Sequence, residues 1–127
     1  MTYLAPIALS QRINTNLPST ITASGNSGDI PLNKLSVAAG WVLNVTAVSG
    51  TTPSAVFHID WSDGAGNVIK VDGQTALTAI TAAGLVVTTL APFVTSTTLF
   101  PPAIQLRWVV TGTTPSFTLG QNFVYGR

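Results

Sequence analysis

Two stretches decide how this chain folds: WVLNVTAVSGTTPSAVFHIDW at Trp41–Trp61 and LRWVVTGTTPSFTLGQNFVYG at Leu106–Gly126. Each alternates apolar and polar residues on both sides of one pentapeptide, GTTPS, at Gly50–Ser54 and Gly112–Ser116. Strict alternation places every second side chain on one face of a strand. Ile104, Leu106, Trp108 and Val110 share a face in Ala103–Gly112, as do Ala55, Phe57, Ile59 and Trp61 in Ser54–Trp61. Trp41–Ser49 sets Leu43, Val45 and Ala47 against Asn44 and Thr46. In Ser116–Tyr125, Phe117, Leu119, Phe123 and Tyr125 are expected on one side, interrupted by Gln121. A doubled pentapeptide is a repeated catalytic signature, a duplicated binding loop or repeated punctuation. Glycine supplies a positive φ and proline removes a ladder donor, so GTTPS reads as the turn of two similar hairpins at equivalent corners.

Away from these stretches the strand signals weaken. Ser19–Ser24, Leu32–Val37, Asn67–Val71, Thr75–Ile80 and Leu85–Leu90 are further strands, the last apolar enough for burial on both faces. Thr75–Gly84 also fits a short helix. β-branched residues dominate and turn clusters recur about every dozen residues, which is how all-β sandwiches and barrels read. The expectation is an antiparallel β-sandwich or jelly-roll-like barrel of about eight or nine strands. One domain spans residues 18–127, preceded by residues 1–17, which form either a first strand or an N-terminal arm docking on a neighbouring subunit. Ala91–Pro102 is the longest expected loop.

Composition restricts the partners. Charged residues make up 7% of the chain, against about 25% in ordinary soluble domains. Glutamate is absent, threonine occurs 19 times, and the net charge is +1. Such a chain lacks the basic patch that nucleic acid or an anionic membrane requires. A weakly charged surface favours association instead, so much of it is expected to lie against other protein. No apolar run approaches the length of a membrane-spanning helix, and MTYLAPIALSQR lacks the features of a secretory signal. Cysteine is absent, which fits a reducing interior and removes disulfides and thiol chemistry.

The chemical inventory is short. His58 is the single histidine, and a Ser–His–Asp arrangement would pair it with Asp29, Asp60, Asp63 or Asp72, with Asp60 two residues away on the same strand face. No G-x-S-x-G elbow accompanies it, since Ser27 in SGNSGD lacks the final glycine, and no enzymatic activity is expected. Metal ligands are too few for a transition-metal site, and no cofactor is expected. DWSDGAGN (Asp60–Asn67) offers oxygens to calcium but lacks the full loop spacing, and it contains what a hairpin turn needs. Trp61 and Trp108 fall in phase with aliphatic neighbours and read as core. Trp41 is the freest of the three, so Trp41 and Tyr125 are the candidates for stacking on a sugar. Asn44-Val45-Thr46 matches a glycosylation sequon inside a strand.

The strand–SGTTPS–strand unit, the W-S-D-G hairpin and the closing L-R-W-V-V-T-G-T-T-P-S-F-T carry a resemblance from about Trp41 to the C-terminus. The chain resembles small β-sandwich proteins encoded among the virion structural genes of tailed bacteriophages, of the head decoration or minor structural type. The resemblance implies a non-enzymatic protein of the capsid surface, made in the host cytoplasm. It also implies the major capsid protein as partner, a homo-oligomer with a trimer favoured, and an N-terminal arm that reaches onto the shell. The arm would make contact through Tyr3, Leu4, Ile7 and Leu9; in the long loop, Phe93, Leu99 and Phe100 are large apolar groups that either tuck under it or form an interface patch. The alternative is a receptor-binding or fibre-tip module recognising host glycan through Trp41 and Tyr125. A third, a cellular carbohydrate-binding or adhesion domain, would more often carry a signal peptide or disulfides.

Overall fold

A computed structural model describes residues 11–32, 39–74, 77–89 and 101–126. These residues form eight strands and no helix: β1 (Gln11–Asn14), β2 (Thr20–Ile21), β3 (Gly25–Asn26), β4 (Ile30–Pro31), β5 (Ala39–Ser62), β6 (Val68–Gln74), β7 (Gly84–Thr89) and β8 (Ala103–Gly126). All join one antiparallel sheet. The all-β expectation holds, with one difference of construction. The two layers are the halves of a single sheet that curls over on itself.

The reason lies in GTTPS. Neither copy is a hairpin turn. Each sits in the middle of a 24-residue strand, and β5 and β8 pair along almost their whole length, from Ala39 opposite Gly126 to Ser62 opposite Ala103. Trp41 and Phe57 are sixteen residues apart on β5, which in a straight strand would separate them by about 53 Å. Their ring centroids lie 5.0 Å apart. The two-stranded ribbon therefore folds back at its midpoint, where the ladder shifts register between Ser49, Thr51 and Ser54. Gly50 and Gly112 adopt φ of 110° and 114°, and Thr52 and Thr114 adopt 48° and 47°. These paired bulges bend both strands while the ladder continues on either side. Each proline sits at the bend, where its missing N–H disrupts nothing. The corner was foreseeable; that both strands pass through it unbroken was not.

Folding the ribbon brings Trp41, Leu43 and Val45 from one half of β5 against Ala55, Phe57 and Ile59 from the other, with Leu106, Trp108 and Phe117 of β8 completing the centre. Trp41 is fully buried and packs its ring against Phe57 at a 59° tilt, correcting the expectation that it is the freest tryptophan. The contact comes from across the fold, so local alternation could not reveal it. In the last third of β8 the face changes: a bulge at Gly120–Gln121 lies opposite Asn44, after which Val124, not Phe123 or Tyr125, faces the core. β7 is also corrected. It is an edge strand with Leu85 66% and Val87 57% exposed, while Val86 packs on the core. Between β6 and β7, residues 77–83 contain no helix, and Ile80 makes a single bridge to Ala55.

A second repeat accompanies the first. Ile21-Thr22-Ala23-Ser24-Gly25 and Ile80-Thr81-Ala82-Ala83-Gly84 read ITASG and ITAAG. Each spans the corner as a strap: Ile21 and Gly25 lie opposite Phe117 and Trp108 of β8, and Ile80 and Gly84 lie opposite Ala55 and Val45 of β5. Four residues of strap bridge nine or ten residues of bent strand. The chain thus comprises two equivalent units, β1–β5 and β6–β8, related by a pseudo-two-fold axis through the GTTPS crossing. Every pairing in the sheet joins one unit to the other: β1, β2, β3 and β4 to β8, β6 and β7 to β5, and β5 to β8.

The domain boundary moves accordingly. Residues 11–17 belong to the folded unit, since β1 pairs with Phe123–Gly126, Ile13 joins the core and Thr15 donates a hydrogen bond to the side-chain oxygen of Asn122. Of the expected strand at Leu32–Val37 only Leu32 is described; it is buried, and its N–H bonds the Pro102 carbonyl at 3.1 Å.

Candidate interaction surfaces

Three surfaces stand out once the fold is laid down: the corner, a charged cluster on the outer face, and one open edge.

At the corner, two GTTPS copies meet around the pseudo-two-fold axis. A Cβ added to Gly50 would lie 2.6 Å from the Thr114 carbonyl oxygen and 3.0 Å from Pro115 Cα. One added to Gly112 would lie 2.7 Å from the Thr52 oxygen and 3.0 Å from Pro53 Cα. Each glycine therefore makes room for the proline of the opposite copy. Thr51, Thr52, Thr113 and Thr114 are exposed, and no residue between Ser49 and Ser54 or between Thr111 and Ser116 is charged. A positive φ is a true outlier for a β-branched residue, and here it occurs twice at equivalent places.

The outer face of the layer built from the second half of β5 and the first half of β8 holds a cluster of ion pairs. Arg107 on β8 bonds Asp60 through Nε at 3.0 Å and Asp72 through Nη2 at 3.0 Å. His58 Nδ1 lies 2.8 Å from Asp72 Oδ1, and the Asp72 N–H donates to Asp60 Oδ1 at 2.9 Å. His58 thus partners Asp72 on β6, not its strand neighbour Asp60. Burial alone would raise the Asp60 carboxyl, but the Arg107 hydrogen bond and charge, with the Asp72 N–H, outweigh it and hold Asp60 below the ordinary carboxylate value. The hydrogen bond from Arg107 to Asp60 in turn raises the guanidinium. The strand crossing explains the cluster: His58 lies opposite Arg107, and Asp60 opposite Gln105. Asp72 reaches it from a bulge in β6, where its φ is 51° and the neighbouring Gly73 lies against the Trp61 ring. The arrangement is an ion-pair clasp between β5, β6 and β8, and no serine is hydrogen-bonded to His58 among the described residues.

DWSDGAGN forms the turn between β5 and β6. Asp63 Oδ1 accepts from the Ala65 and Asn67 N–H groups at 2.7 and 3.1 Å, and Asp63 Oδ2 accepts from Asn67 Nδ2 at 2.9 Å. Asp29 ties the turn to the β3–β4 connection: Oδ1 accepts from Ser62 and Gln105 at 2.6 and 2.9 Å, and Oδ2 from the Gly66 N–H at 2.8 Å. The bonds from Ser62 and Gln105 hold Asp29 below its ordinary value, and those from Asn67 and Ala65 do the same for Asp63. Carboxylates occupied by N–H and O–H donors serve the turn, as the Asx pattern of the sequence predicts. Among the described residues no group of three or more metal-ligating side chains comes together.

The open edge is on the β5 side. Six large apolar residues are exposed among the described residues, and five of them, Val68, Ile69, Val71, Leu85 and Val87, lie on β6 and β7. The β8 side is closed by four strands of two to four residues each, and short strands blunt an edge.

Of the residues that sequence reasoning selects, Tyr3, Leu4, Ile7, Leu9, Phe93, Leu99 and Phe100 lie outside the described residues. Trp41, in the core, offers no ring to a sugar. Tyr125 is half-buried, with its ring directly over Gly40 and edge-on to Phe123, on which Arg12 stacks at 3.9 Å. Trp41 and Tyr125 point to opposite faces and make no joint platform. Sequence reasoning missed the clasp and the straps. The ITASG/ITAAG repeat was the available signal for the straps; the clasp depends on the register of three strands. Comparison with protein-family models, with curated proteins and with solved structures returns no match.

Proposed function

We propose that this is a non-enzymatic virion structural protein, a head decoration protein of a tailed bacteriophage that binds the major capsid protein on the assembled shell. The observation that carries the reading is the uneven edge: five exposed apolar side chains on β6 and β7, against none on β1–β4. In a chain with 7% charged residues, exposed apolar side chains gathered on two strands of the β5 side suit burial against another protein. The continuous ribbon, folded over and strapped on both sides, suits a component that has to hold its shape outside a cell. Burial of Trp41 removes the aromatic platform that a glycan-binding module would need.

Co-sedimentation with emptied capsids of the phage whose structural genes neighbour this one tests the proposal. Binding that saturates at a stoichiometry fixed by capsid symmetry is the expected result. Binding to host cells and not to capsids overturns it.

A further inference from the structure

We propose that the doubled GTTPS corner is a docking surface in its own right, beside the apolar side chains of β6 and β7, and that it fits a protein partner across a two-fold contact between two identical subunits. This rests on the decoration reading and adds a second place of contact with the shell.

The fold needs glycine at positions 50 and 112, because a Cβ would strike the opposite backbone. Threonine is not what the backbone favours at 52 and 114, although the Thr114 hydroxyl donates to the Thr113 carbonyl at 2.8 Å. A residue at φ near 48° is best supplied by asparagine or glycine, and a β-branched side chain is the poor choice there. Both copies nevertheless carry Thr, while the adjoining strands have diverged, Ala55-Val56-Phe57 in one and Phe117-Thr118-Leu119 in the other. Local rules broken without a gain in folding mark functional positions. Strain held at an exposed place points the same way.

Symmetry then specifies the partner. The corner presents the same hydroxyls, methyls and glycine backbone twice, related by a half-turn. A partner that uses both copies equally has the same half-turn, as where two identical subunits abut. Charge narrows the chemistry: with no cation at the corner among the described residues, phosphate backbones find nothing to pair with, whereas uncharged peptide edges find hydroxyl donors and acceptors. The resemblance to decoration proteins implies trimers at symmetry axes; the symmetry internal to this chain is two-fold.

The test compares the full-length wild-type protein with Thr52→Asn, Thr114→Asn and the double variant, titrated onto emptied capsids. Asparagine suits the same backbone, so the variants fold, and a chemical denaturation midpoint at or above wild type verifies this. We expect each single variant to bind about ten-fold more weakly, the double variant more weakly still, and wild type to saturate at one copy for each pair of capsid subunits. Wild-type binding that is unchanged in the folded variants, or that saturates at one copy for each three subunits, overturns the corner assignment and leaves the decoration reading standing. Absence of wild-type binding overturns both.

Discussion

Thr52 and Thr114 are, among the described residues, the β-branched positions held at a positive φ. Strain of this kind costs about 1–3 kcal/mol per residue in general, so replacing either threonine by asparagine is expected to stabilise the protein by about 0.5–1 kcal/mol in urea or guanidinium titration. Equal gains at the two sites are expected from the pseudo-two-fold relation. Gly50 and Gly112 behave in the opposite sense. Alanine at either would place its methyl against a carbonyl oxygen of the other copy, in a backbone region alanine disfavours, and is expected to cost about 2 kcal/mol or more. A gain at one site with a loss at its counterpart would contradict the equivalence of the two copies.

Among the elements, the clasp of β5, β6 and β8 depends on Arg107. Removing it in Arg107→Ala leaves Asp60, 6% exposed, facing only one N–H donor, and the expected loss is about 2 kcal/mol at neutral pH. The pH dependence follows in sign. Asp60 titrates lower folded than unfolded, so its contribution is present above the unfolded carboxylate value of about 3.9 and is lost as pH falls below it. Wild-type denaturation midpoints are expected to drop on acidification from about pH 5 to pH 3, and Arg107→Ala to drop less. An equal drop in both would contradict a dominant role for this pair. The elements also divide what was legible in the sequence from what was not. Alternation located both halves of β5 and β8, because half-buried strands write their period into the residues; β6 and β7 were legible only as weaker apolar runs, and most of their side chains are exposed. Trp41 was misread because its partner Phe57 arrives through a fold sixteen residues away. The face of Phe123 and Tyr125 was misread because one bulge at Gly120–Gln121 inverts everything after it. GTTPS was misread as turns because glycine and proline mark bends that end a strand and bends that continue it with the same letters. Long-range pairing decides between the two.

At the scale of the molecule, two interlocked units are joined by one covalent turn, Asp63–Asn67, between Ser62 and Val68, which lie opposite each other. The equivalent pair across the axis, Gln11 and Gly126, also lies opposite but is not joined directly. The order of the units should therefore be immaterial to folding. A permutant running from Val68 to Gly126, through a copy of the Asp63–Asn67 turn, and from Gln11 to Ser62 is expected to keep the wild-type near-ultraviolet circular dichroism and a stability within about 1 kcal/mol. Loss of cooperative unfolding would show that the order matters.

The central claim is that this two-fold molecule binds a capsid across a two-fold contact through its doubled corner. An electron cryomicroscopy reconstruction of emptied capsids saturated with the protein tests it most directly. The account predicts density on local two-fold axes, with the two GTTPS corners turned toward the shell; density on three-fold axes, or none above the shell, would contradict it.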